Sequence, residues 1–372
     1  MVWPLLTTFF ETHLHASIAF VGVIEGSADG VSALLKYYAG RWSDRAARRK
    51  PLVLAGYGLS SLVRPLMAFV VTPWTALAIR VVDRVGKGIR SAPRDAMLAG
   101  EAAPEHRAAA FGFHRALDNA GAVIGPLAAA AILWFRPDDL RTVFLASAVP
   151  GALAVTVIVL FVRERQITAA VSTDRASHAT APDAAGERET LRPELRAYLS
   201  VLGLFALANA SDLFLLAKAH DVGIPTRALP LVWAGLSLLR ALVTIPGGRL
   251  ADRIGRARAL RLGWIVYAAA YVALAFARSR EAVLACVLLY SLYYGLCEGA
   301  ERALVASFAH GRGLGRAYGL YALVSGAGAT VASLLFAGLY RFASSRTAFV
   351  VSGSLALGAA LLLPRENDTA EH

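Results

Sequence analysis

The strongest constraint on this chain is a series of apolar stretches long enough to cross a bilayer, joined by short polar links. A crossing helix needs about 20 mostly apolar residues. Three stretches meet this without an internal charge: Thr142–Val162 (span 6), Leu262–Ala277 with small extensions (span 9) and Ala317–Tyr340 (span 11). Seven more carry one or a few ionisable residues: 18–39 (span 2), 51–71 (span 3), 74–99 (span 4), 108–135 (span 5), 197–217 (span 7), 228–247 (span 8) and 281–304 (span 10). A last run, 346–363 (span 12), holds only its opening Arg346. Residues 1–10 form half a span (span 1), too short to cross and without the basic start or small-residue cleavage site of a signal peptide. The expectation is eleven full spans and an incomplete first helix, hence an all-α membrane protein.

Composition agrees. Apolar residues make up 57% and charged residues 17%, against roughly 25% charged in soluble chains. Disorder, a secreted disulfide scaffold and an ordinary soluble enzyme are excluded. Cys286 and Cys297 share one apolar run, about 16 Å apart if helical, beyond disulfide reach. The net charge of +12 does not point to nucleic acid, because the bases cluster in links between apolar runs, where a membrane surface explains them. With the link between spans 2 and 3 on one side, 25 of the 38 Lys and Arg fall on that side and eight on the other. Basic links stay in the cytoplasm, so that side is expected to be cytoplasmic, in a bacterial inner membrane. The C-terminus and the aperiodic polar stretch 163–196 fall on the same side. That stretch reads as a linker between residues 1–162 and 197–372.

The two parts repeat each other. The link after span 2 runs Gly40-Arg-Trp-Ser-Asp44-Arg45-Ala-Ala-Arg48-Arg49, and the link after span 8 runs Gly248-Arg-Leu-Ala-Asp252-Arg253-Ile-Gly-Arg256. Gly, Arg, Asp, Arg and Arg recur at one offset. Anchoring to a membrane face needs only the bases. An Asp at fixed spacing among arginines suggests a latch whose carboxylate is paired in one conformation.

These links resemble the G-x-L-a-D-R-x-G-R-[RK] signature of the major facilitator superfamily, and the resemblance extends over the whole chain. Trp42 and Ala47 depart from it in the first copy. Span 4, with Arg80-Val-Val-Asp83-Arg84-Val-Gly86-Lys87-Gly88, is similar to a second signature of the family. Gly121-Ala-Val-Ile-Gly125-Pro126 in span 5 is similar to the helix-packing G-x-x-x-G-P signature of its drug/proton antiporter branches. The resemblance implies two pseudo-symmetric six-helix bundles. It implies a gating role between them for Gly40, Asp44, Arg45 and Arg48 and for Gly248, Asp252, Arg253 and Arg256.

A charge deep in the bilayer is costly and must face protein or water. Glu25 and Asp29 lie one turn apart on span 2. Arg80 and Asp83 lie on span 4, Asp118 on span 5, Asp212 on span 7, Arg240 on span 8 and Glu298 on span 10. These are the candidates for proton coupling and transport, Asp29 first because it sits near mid-span. Arg90, Arg94, Asp95, Glu301 and Arg302 lie nearer the headgroups and read as structural ion pairs. No metal-ligand, nucleotide-loop or nucleophile motif appears, so neither metal nor cofactor is expected. The functional expectation is a monomeric secondary transporter that moves a small organic solute through the lipid bilayer by alternating access, with proton-coupled efflux favoured. Proton-coupled uptake and a non-transporting membrane sensor are the alternatives.

Overall fold

The computed structural model describes residues 18–136, 139–164, 193–225, 229–309 and 313–363, with side chains of residues 18–30 and of Pro230 excepted. Every regular element among them is helical. Nine of the described helices are long and apolar enough to cross a membrane, corresponding to span 3 and spans 5–12. Span 2, now the helix Ile18–Arg45, and span 4, Pro73–Glu101, bring the number to eleven. Span 4 is too charged to qualify on composition alone, yet it packs on both span 2 and span 3.

Short polar residues set several helix starts. The side chains of Thr72, Asp139, Ser279 and Ser344 each accept the backbone N–H three residues on, at 3.0–3.2 Å. This satisfies donors a helix start leaves free.

The structure departs from the spans read in sequence at three places. Span 3 tightens into a 3-10 turn, Arg64–Phe69, where Pro65 cannot supply a backbone donor. Span 6 is interrupted at Ser147, between Leu140–Ala146 and Ala148–Phe161. Span 7 is broken into Pro193–Ala208 and Leu213–Asp221. Its break carries Asn209, Ser211 and Asp212, whose side chains compete with the backbone for hydrogen bonds. Irregular backbone at membrane depth survives only where protein satisfies it. Here the Ala208 carbonyl accepts from the hydroxyls of Tyr267 (2.8 Å) and Ser352, and the Ser211 N–H donates to Ser333 Oγ (3.1 Å).

The repeated links are built differently. In the second copy the chain passes from Ile254 to the next helix at Arg256 through Gly255 alone, at φ 93°. That conformation is open to glycine and strained for alanine. The first copy has Ala47 there and takes the four residues between Arg45 and Lys50 to make the same passage.

The second half has an aromatic core: Phe205 stacks on Trp264 at 4.4 Å, and Tyr267 meets Phe205 edge-on at 5.3 Å. The halves meet where span 5 lies on span 8 and span 2 on span 11. Glycines make these approaches close, as small residues do in membrane helix pairs: a Cβ at Gly40 would strike Gly315, and one at Gly248 would strike Ala108. Trp74, Trp134, Phe135 and Phe342 stand largely exposed at helix ends away from the basic links, as an interfacial aromatic belt requires.

Candidate functional site

The repeated aspartates reach across the molecule. Asp44 accepts the backbone N–H groups of Gly315 (2.7 Å) and Arg316 (2.6 Å), at the first turn of span 11. Its mate Asp252 accepts those of Ala108 (3.0 Å) and Ala109 (2.8 Å), at the first turn of span 5. Each carboxylate thus caps a helix of the opposite half, where free N–H groups and the helix dipole favour a negative charge. The arginine beside Asp44 is the buried Arg49, at 3.3 Å, which also donates to Ser43 Oγ at 3.1 Å. Of the other signature bases in this copy, Arg45 and Arg48 are exposed. In the second copy Arg253 is likewise exposed, while Arg256 lies 4.0 Å from Asp252 and donates to the Pro104 carbonyl. Burial pushes the Asp44 carboxyl above the usual aspartate value, against the pull of the two amides and Arg49.

A polar stripe on span 10 continues inward from this end. Arg302, Glu298, Tyr294 and Tyr290 follow at four-residue intervals, about 6 Å apart along the helix and turning by about 40° each step. Arg302 lies 3.5 Å from Asp95 of span 4, which also holds Arg94 at 2.9 Å. Glu298 lies 3.8 Å from Arg115 of span 5. Arg115 in turn reaches Asp118 at 3.3 Å, and His114 approaches the same carboxylate at 3.5 Å. Asp118 remains 47% exposed and is the most open of the described deep acids. Further along, Tyr290 donates to Asp212 at 2.6 Å, Tyr294 at 3.2 Å, and Arg240 pairs with it at 2.7 Å while lying over the Tyr294 ring at 3.7 Å. Asp212 stands at the break in span 7, so the discontinuity delivers a carboxylate to this cluster.

The candidates therefore fall into separate groups. Asp118 and Glu298 share Arg115 across the halves, and Asp212 and Arg240 pair within the second half. Arg80 and Asp83 are buried apart from both, and Asp83 is held by Arg64 at 2.9 Å and Arg80 at 3.4 Å. Glu25 and Asp29 lie on the span 2 helix, but their side chains are outside the described residues. Gly121 and Gly125 border a cavity in the first half, and a Cβ at Gly121 would meet nothing within 4 Å. Pro126 lies inside the span 5 helix. Sequence reading missed Tyr290 and Tyr294, which carried no charge to mark them. Asp95 and Arg302, read as structural ion pairs, pair with each other and so join the two halves. The four-residue spacing of Tyr290, Tyr294, Glu298 and Arg302 was the available signal.

The model of the family described as Major Facilitator Superfamily matches residues 1–225 and 197–372. An uncharacterized MFS-type transporter of Methanocaldococcus jannaschii is 27% identical over 376 residues, covering 98% of this chain and 89% of its own length. Multidrug resistance protein MdtH of Cronobacter sakazakii is 25% identical over 319 residues, covering 85% of this chain and 76% of its own. Among solved structures, the proton:xylose symporter XylE superposes with a TM-score of 0.74 over 96% of this chain and 88% of its own. At 16% identity that likeness concerns the fold alone.

Proposed function

Because the chain belongs to the major facilitator superfamily, as a multi-pass membrane transporter for a small molecule, we propose that it exports an organic solute in exchange for protons by alternating access. The observation that carries this reading is the closure of the two halves at their basic ends. Four carboxylates contribute to it: Asp44 and Asp252 on backbone amides, Asp95 on Arg302 and Glu298 near Arg115. Such a closure can be undone by changing the charge on a few groups, which is what coupling to protons requires. The similarity to MdtH, named for multidrug resistance, supports export over uptake.

In this reading the basic ends face the cytoplasm of a bacterial inner membrane, with residues 163–196 joining bundles 1–162 and 197–372 in a monomer. Asp29 is the first proton carrier to test, for its mid-span position, and Asp118 the second, for its exposure and its shared Arg115. Purified protein in liposomes with an imposed pH gradient tests the proposal against a panel of organic solutes. Solute should leave as protons enter, and Asp29→Asn or Asp118→Asn should abolish gradient-driven flux while solute binding persists. Solute moving in the same direction as protons would replace export by uptake. Flux indifferent to the gradient in wild type would remove proton coupling altogether.

A further inference from the structure

Span 5 gives most of its packing to spans 8 and 10 of the opposite half and little to spans 4 and 6 of its own. The slot this leaves is a cavity of about 640 Å³ among spans 3, 4, 5 and 6, within the range of roughly 300–1,000 Å³ typical of small-ligand sites. Its walls differ in chemistry. Spans 3 and 4 contribute Tyr57, Ser60, Arg64, Arg80, Arg84 and Arg90 with a single acid, Asp83. Spans 5 and 6 contribute Gly121, Ile124, Ala128, Pro150 and Ala154 among others. Asp83 already serves Arg64 and Arg80. Arg90 has only neutral partners: Ser60 Oγ at 2.9 Å, the Gly56 carbonyl at 3.5 Å and the face of Tyr57 at 4.2 Å. Ile124 on the apolar wall is 64% exposed, so the cavity is not sealed, and it opens near the middle of span 5.

We propose that this cavity binds an anionic amphiphile, its phosphate or carboxylate headgroup on Arg90 and Arg64 and its hydrocarbon tail along spans 5 and 6. Arg90, whose hydrogen-bond and ring partners are all neutral, selects an oxyanion, because guanidinium pairs with carboxylate and phosphate in planar, charge-assisted geometry. The apolar wall selects a tail, because a free hydrophilic anion leaves that surface uncovered. Gly121 then has a use that helix packing does not give it: with nothing within 4 Å of its Cβ position, it keeps the tail channel open.

Dodecyl phosphate is the probe, titrated by calorimetry against the purified full-length chain in a nonionic detergent. Inorganic phosphate and dodecyltrimethylammonium are the comparisons. Dodecyl phosphate should bind saturably and both comparisons should not. Arg90→Gln removes a charged donor and should weaken binding about tenfold or more. Gly121→Leu fills the channel from a position with open space around it, so it should fold normally and also lose binding. Equal dodecyl phosphate affinity in wild type and in folded Gly121→Leu overturns the proposal. So does equal binding of dodecyltrimethylammonium, or of inorganic phosphate without a tail.

Discussion

At the scale of single residues, the account rests on carboxylates that serve two masters. Asp44 and Asp252 lie in basic links, yet each accepts two amides from the far half. Hydrogen bonds to a charged group are worth about 1.5–3 kcal/mol, so Asp44→Asn and Asp252→Asn should each shift the closure equilibrium at least tenfold. Turnover should fall by about that factor while expression holds. Unchanged transport in both single variants would reduce the repeat to a membrane anchor. Asp212 makes a different case. It is enclosed by Arg240, Tyr290 and Tyr294, so Arg240→Met strands a carboxylate and should cost about 3–5 kcal/mol. Asp212→Asn added to it should restore much of the thermal stability in detergent. A double variant no more stable than Arg240→Met alone would mean the pair does not act as a unit.

At the scale of elements, most of the architecture was legible because crossing a bilayer imposes a length and an apolar composition that survive in one dimension. Span 4, which its charges disguise, was legible by its length and by its likeness to the family's second signature. The break in span 7 was not: Asn209, Ser211 and Asp212 read as polar residues within a helix, and only Tyr267, Ser352 and Ser333 from three other helices make the open backbone stable. The latch was half legible. Its aspartates stood out by repetition, but their amide partners are sequence-neutral, and of the first copy's signature bases only Arg49, in the last position, turns inward. Two glycines separate packing from open space. Gly248→Ala presses a Cβ on the Ala108 carbonyl and should cost about 1–3 kcal/mol. Gly121→Ala meets nothing and should gain up to about 1 kcal/mol from helix propensity. Thermal unfolding of the two variants should therefore move in opposite directions, and a shift of the same sign in both would contradict the assigned crossings.

At the scale of the whole molecule, the charge asymmetry and the closure occur at the same end. The orientation is open to a direct check, since Cys286 and Cys297 are both buried at 9% and 1% exposure and give little background. Thr180→Cys in the 163–196 stretch should resist an impermeant thiol reagent in intact cells and react once the membrane is opened. Ready labelling from outside would invert the topology. The central claim, that these carboxylates hold one of two alternating states, needs no knowledge of the solute to test. Spin labels at the exposed positions Arg48 and Arg253, one on each half, report the separation of the basic ends by pulsed electron resonance in liposomes. The account predicts a short distance in the wild type and dominance of a longer-distance population in the Asp44→Asn/Asp252→Asn double variant. A single distance, unchanged by the double substitution, would contradict it.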